Sequence, residues 1–208
     1  EQDLPANVHL KFFYGDLIEG LLLALAKAAG HTVEGEQGEV IVDGIVGHRD
    51  AVIDGVTVDV KSASTMGFKK FEKNELRLDD PFGYLKQLTG YVYGAKDDPI
   101  VKDKTGGAFL VMDKTLGNLV LDYYDLEHEL VLFPSVVVAT KLMTKMTVEP
   151  HREFEPIPDG KSGNMKLPAA CSYCDYKWTC WPGVRTFLYS NGPTMLTRVV
   201  NVPKVPEV

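Results

Sequence analysis

Asp54-Gly55, set between the β-branched runs Ala51-Val52-Ile53 and Val56-Thr57-Val58, leaves residues 47–61 of this chain little conformational freedom. The dipeptide is the favoured centre of a two-residue type I′ hairpin. Such a hairpin pairs Ile53 with Val56, Val52 with Thr57, Ala51 with Val58 and Asp50 with Asp59. Two carboxylates then face each other with Cβ atoms roughly 4.5–5.5 Å apart, where like charges destabilise a sheet. Lys61, two residues beyond Asp59, shares its face, with His48 opposite. Ala51, Ile53, Val56, Val58 and Val60 make the other face apolar. One face packs, and the other is left for chemistry.

A solvated hairpin with Lys61 neutralising one acid would satisfy this pattern. So would a divalent-cation site, because hard cations such as Mg²⁺ take carboxylate oxygens and water, and two convergent carboxylates are a common protein share. In the second reading the acids hold the metal and the ammonium stays beside the reacting group. A third ligand is suggested by residues 12–29, whose Phe13, Leu17, Ile18, Leu21, Leu22 and Leu25 predict a long helix with a broad apolar face ended by Gly30. Glu19 borders that face, and a partly buried acid needs a partner.

The chain has 208 residues, 45% of them hydrophobic, enough for one domain with an appendage. Its longest apolar stretch, residues 21–29, is interrupted by Lys27 and is too short to span a bilayer. The expectation is a soluble, cytoplasmic protein with no membrane partner, in a bacterial, archaeal or phage-infected cell. A formal charge of −7 argues against passive nucleic-acid packaging, where affinity comes from Lys and Arg at phosphates. It does not exclude an enzyme acting on DNA whose acids are neutralised by metal. Lys69, Lys70 and Lys73 are local candidates to line its groove.

Further along, residues 39–42 predict a strand that precedes the hairpin in a three-stranded meander packed on the first helix. A polar loop with a short helix over 62–80 follows. Asp79 or Asp80 before Pro81 signals the start of a second helix running to about Ala95. On it Tyr84, Gln87 and Tyr91 share one face, while Leu85, Leu88 and Val92 line a core stripe. Strands are expected at 108–112 and 119–124 around a polar turn, a linker over 149–167 and an extended tail over 202–208; over 134–147 the valines at 136–138 favour strand, but the length and the Pro134 start favour a helix. Gly160-Lys161-Ser162 lacks the earlier glycine and preceding strand of a phosphate loop.

All three cysteines lie in Cys171-Ser-Tyr-Cys174-Asp-Tyr-Lys-Trp-Thr-Cys180. Clustered thiols of this kind are more often metal ligands than disulfides. Three thiolates leave a tetrahedral zinc site or an iron–sulfur cluster one ligand short. Bound metal and a metal-free turn around Trp178 and Trp181 are both open.

The order Glu19, Asp50, Asp59-Val60-Lys61, Gln87-x₃-Tyr91 and Cys-x₂-Cys-x₅-Cys resembles the RecB-like branch of the PD-(D/E)XK nuclease superfamily over nearly the whole chain. That branch includes phage exonucleases and CRISPR-associated four-cysteine nucleases. The resemblance implies an α/β (α+β) restriction-endonuclease-like core over residues 1–148, with a central mixed sheet flanked by helices. Residues 149–208 would form a cysteine-bearing appendage and a tail packed on the core. It implies that Glu19, Asp50, Asp59 and the Val60 carbonyl hold Mg²⁺ or Mn²⁺, that Lys61 is the catalytic lysine, and that Gln87 and Tyr91 position it or the scissile strand. Cys171, Cys174 and Cys180 would hold an iron–sulfur cluster or zinc. Many members have histidine in place of Glu19, and the family's first cluster cysteine normally precedes this helix. The implied activity is metal-dependent hydrolysis of DNA, more exo- than endonucleolytic. The alternative is a catalytically idle nucleic-acid-binding or scaffold module.

Overall fold

The computed structural model describes residues 6–145, 152–174, 176–190 and 192–208, and its contacts divide into two compact units, Glu1–Thr144 and Lys145–Val208. The chain is mixed α/β, with a mixed central sheet and several helices, and no helix among the described residues is long and apolar enough to cross a membrane.

The first unit opens with helix α1 (Ala6–Ala28), followed by the short strand β1 (Val33–Glu34) and the ribbon of β2 (Gly38–Val42) and β3 (Ile45–Arg49). The hairpin strands β4 (Ala51–Ile53) and β5 (Val56–Ala63) come next. Ile53 pairs with Val56, Val52 with Thr57 and Ala51 with Val58, as Asp54-Gly55 predicts. Asp54 and Gly55 have φ values of 52° and 85°, as a type I′ turn requires. After the helices α2 (Thr65–Glu72) and α3 (Tyr84–Gly94), strand β6 (Gly106–Asp113) returns parallel to β5, and β7 (Leu119–Asp125) pairs antiparallel with β6. The sheet order is β1-β4-β5-β6-β7, followed in the chain by α4 (Glu127–Lys145).

The two sheet faces carry separate cores. Ile18, Leu22 and Leu23 of α1 pack with Ala51 and Val60, flanked by Ile53 and Leu110. Phe68, Phe71, Leu85, Leu88 and Val92 of α2 and α3 close over Phe109 and Tyr124 on the opposite face. Both hairpin faces are therefore packed, and Asp59 and Lys61 project towards α3 rather than into open solvent.

Several expectations need correction. The broad apolar face of α1 is mostly exposed at Phe13, Leu17, Leu21 and Leu25, and α1 begins six residues before Phe12. A helix apolar on most sides gives periodicity little power to choose the buried one. Strand β2 pairs with β3 in a separate ribbon, so His48 faces Glu39 rather than Lys61, and the expected meander is interrupted at Asp50. The ribbon packs on α3, not α1; a Cβ on Gly94 would come within 2.2 Å of Val40 Cγ1, so only glycine permits that approach.

Helix α3 starts three residues beyond Pro81. Gly83 at its N-cap has φ 72°, and Asp80 reaches past it to accept from the Tyr84 and Leu85 N–H groups at 2.9 Å each. Helix α4 starts at Glu127, where Asp125 accepts from the Glu127 N–H, and carries Pro134 inside rather than at its start. Residues 146 and 147 of the expected helix lie outside the described residues, as do 149–151 of the expected linker.

In the second unit, β8 (Ile157–Pro158) and β9 (Met165–Lys166) form a hairpin within the stretch expected to be a linker. The short helices α5 (Ala169–Ser172) and α6 (Lys177–Cys180) follow. A second hairpin, β10 (Arg185–Tyr189) and β11 (Gly192–Arg198), completes a four-stranded sheet in the order β10-β11-β9-β8. The end of the chain is not a free tail. Leu188 N–H donates to the Pro206 carbonyl, Val208 N–H to that of Thr186, and Glu207 receives both Arg185 Nε and Nη2.

A polar clamp at the start of β6 gives one stability prediction. Asp103 accepts from the Gly106 N–H and the Tyr123 hydroxyl at 2.8 Å each and from the Thr105 N–H at 3.1 Å. Burial opposes its charge, but these bonds together outweigh burial and hold the carboxyl below the ordinary carboxylate range. A depressed folded pKa contributes stability above the unfolded value that is lost as pH falls through the folded one. Asp103→Ala should therefore cost about 1–2 kcal/mol in urea unfolding at pH 7. The penalty should shrink below about pH 4, where the unfolded carboxyl protonates.

Candidate metal centre

Asp59 and Lys61 stand on the central strand β5, and Asp50 stands where the chain leaves the β2–β3 ribbon to enter β4. The ladder stops at the Ala51–Val58 pair, so Asp50 does not simply oppose Asp59. It turns back and accepts the Val60 N–H on Oδ2 at 2.6 Å. That bond favours the Asp50 charge, while Asp50 and Asp59 still repel each other. Asp59 is 2% exposed, and its Oδ2 lies 2.5 Å from Lys61 Nζ. This is a close ion pair off the axis of a good hydrogen bond, leaving Oδ2 buried without an aligned donor.

Burial pushes the Asp59 carboxyl up to about 6, against the pull of Lys61 and with further upward pressure from Asp50 and Glu19. Asp50 is also raised, by burial, although the Val60 N–H, Lys61 and Gln37 all favour its charge. Glu19 is raised by burial and by the Asp50 and Asp16 charges, while Gln37 lowers it. The acids therefore sense one another. A set of carboxylates all pushed towards protonation is one that a cation would relieve.

Gln37 is a site residue that the sequence did not disclose. Its Nε2 donates to Glu19 Oε1 at 2.5 Å, and its side chain also favours the charged form of Asp50. Its φ of 52° and the bond from its N–H to the Asp50 carbonyl at 3.0 Å hold it between helix and hairpin. A polar residue in a β1–β2 turn carries no local sign of this role. It becomes visible only once α1 is placed beside the turn.

The α3 residues do converge on Lys61. Gln87 Oε1 lies 3.5 Å from Lys61 Nζ, Gln87 Nε2 donates to the Tyr91 hydroxyl at 2.8 Å, and Lys61 Nζ sits 5.4 Å from the centroid of the Tyr84 ring. Burial and the nearby Asp59 charge raise the Tyr91 phenol. The β3 backbone approaches this ring closely: a Cβ on Gly47 would stand 3.0 Å from Tyr91 Cε1. An open cleft of about 450 Å³, lined by Lys11, Asp16, Glu19, Asp50, Val60 and Lys61, gives access to Glu19 and Asp50, while Asp59 lies buried outside its lining. Of the expected groove lysines, Lys70 lines a neighbouring cavity with Lys61 and is paired with Asp79, whereas Lys69 and Lys73 are exposed.

Cys171, Cys174 and Cys180 are free thiols on and between the two short helices of the second unit. Burial raises the Cys171 thiol, and the other two cysteines oppose its ionisation further. Among the described residues, no three His, Cys, Asp or Glu side chains form a group that would enclose a metal ion as they are placed. Glu19, Asp50 and Asp59 are instead held by Gln37, the Val60 N–H and Lys61. No family model matches this chain, and no curated protein or solved structure matches it.

Proposed function

We propose that this chain is a Mg²⁺- or Mn²⁺-dependent deoxyribonuclease of the PD-(D/E)XK type, built on a restriction-endonuclease-like core and acting as an exonuclease. The observation that carries this reading is Asp59, a buried carboxyl beside Lys61 whose charge is opposed by burial and by two further acids. A scaffold has no use for such a destabilising arrangement.

The donor chemistry, three carboxylates and a backbone carbonyl, suits a hard cation, which would have to draw these side chains together. Asp59 offers a buried carboxylate that Lys61 now neutralises, and Asp50 and Glu19 line the cleft beside it. These three, with the Val60 carbonyl, would hold the ion. Bound there, it supplies Lewis acidity towards a phosphoryl oxygen and a lowered pKa for water. Lys61 orients the attacking water and stabilises negative charge developing on the phosphoryl group. Gln87, bonded to Tyr91, holds the ammonium in register, and Gln37 keeps Glu19 beside Asp50. The iron–sulfur or zinc reading of the cysteines is a separate proposal, tested by iron, sulfide and zinc analysis of anaerobically prepared protein.

The test of the main proposal is incubation of the protein with end-labelled single- and double-stranded DNA in Mn²⁺, Mg²⁺ or EDTA. Cleavage should require the cation and release mononucleotides or short products progressively from an end. Absence of cleavage on both substrates with either metal would overturn the nuclease reading in favour of an idle binding module.

A further inference from the structure

Behind the catalytic lysine lies a second cavity, of about 380 Å³, between the β2–β3 ribbon, α3 and α4. That volume is within the range of about 300–1,000 Å³ typical of small-molecule sites. Val46, Tyr91, Phe133, Val136 and Val137 give it a largely apolar lining, and Lys86 stands at its rim. Val46 is 54% exposed, so the lining is open to an incoming group. Gly90 forms part of the wall, where a Cβ would stand 3.1 Å from Phe133 Cζ.

The wall shared with the acidic centre consists of Gln87 and Tyr91. The Tyr91 ring lines the apolar cavity, its hydroxyl holds Gln87, and Gln87 Oε1 is 3.5 Å from Lys61 Nζ. A group seated against that ring is therefore one side chain removed from the ammonium paired with Asp59. An apolar, aromatic-walled pocket with one cation at its rim matches a nucleotide whose base is unpaired. The base stacks on the rings while Lys86 at the rim meets its backbone, and the neighbouring phosphate lies across the Gln87–Tyr91 wall towards Lys61. A base within a duplex cannot enter without leaving its stack.

We propose that this cavity is a nucleobase pocket that seats an unpaired base next to the scissile phosphate, so that the substrate is single-stranded or frayed DNA. The proposal rests on the nuclease reading for its substrate, and the Tyr91–Gln87 wall is what links the two.

Binding and cleavage are measured separately to test it. In EDTA, fluorescence anisotropy compares a single-stranded oligonucleotide, the same strand with one abasic nucleotide scanned along it, and the blunt duplex. One abasic position should weaken binding about tenfold, as expected for loss of one stacked base. Val46→Glu, which places a carboxylate at the open mouth of the pocket, should weaken binding of the intact strand by a similar factor and flatten the abasic scan. Val46→Leu should preserve both. A flat scan with the parent protein overturns the pocket, as does a Val46→Glu variant that retains the abasic dependence. Cleavage in Mn²⁺ separates the two ideas. Position-dependent binding without cleavage supports the pocket and sinks the nuclease, whereas cleavage with a flat scan sinks only the pocket.

Discussion

Lys61→Ala should lower Mn²⁺-dependent DNA cleavage by at least about 10³-fold, the scale set by loss of a group that stabilises transition-state charge. The ammonium lies 2.5 Å from Asp59 Oδ2 and 3.5 Å from Gln87 Oε1, whereas Lys70, which shares a cavity with it, is paired with Asp79. The variant should nonetheless stay folded. With its partner gone, Asp59 takes up a proton rather than remaining a buried, unpaired charge, since burial already pushes it to about 6. Circular dichroism and single-turnover cleavage on the same preparation check both halves. Gln87→Ala, which removes only the support of the ammonium, should cost much less, about tenfold. Near-normal cleavage by Lys61→Ala would show that the lysine serves the fold and not the reaction.

Asp59→Asn should abolish cleavage yet make the metal-free protein more stable. The sign follows from proton linkage. Because the folded pKa of about 6 exceeds the unfolded value, the parent's stability contribution is full below about pH 4 and is lost as pH rises through 6. At pH 7 and above the ionised carboxyl costs roughly 2–3 kcal/mol, which the neutral amide avoids. Lys61 keeps partial access to solvent, so losing its partner offsets only part of this gain. Thermal melts in EDTA should place the variant about 5–10 °C above the parent at pH 7.5, with the difference closing towards pH 4. Added Mg²⁺ should raise the parent's Tm and leave the variant unchanged. A variant less stable than the parent at pH 7.5 in EDTA would mean that Asp59 is satisfied by its ion pair alone.

The parts of the site readable from sequence were those set by short-range rules. Asp54-Gly55 determined the register of β4 and β5, and strand alternation then put Asp59 and Lys61 on one face. Helical spacing put Gln87 and Tyr91 together. What escaped the sequence depended on contacts between distant segments. Asp50 leaves the ladder to take the Val60 N–H, and Gln37 reaches Glu19 only because a left-handed turn carries it beneath α1. Leu17 and Leu21 were as apolar as Leu22, yet only Leu22 faces the sheet. Pro134 signalled a helix start that Asp125 and Glu127 in fact provide seven residues earlier, and the 157–166 hairpin was masked by prolines and glycines that also suit a linker.

Helix α1 meets its core through Ile18, Leu22 and Leu23, all at or beyond Gly15, while Leu10, Phe12, Phe13 and Tyr14 on its earlier turns are exposed. Glu19 sits at the start of the anchored half. The carboxylate therefore stands where the packed part of the helix begins, and Gln37 holds it there. If the proposed ion is held here, a molecule that covers the exposed upstream turns and steadies the helix would tighten its binding without touching it.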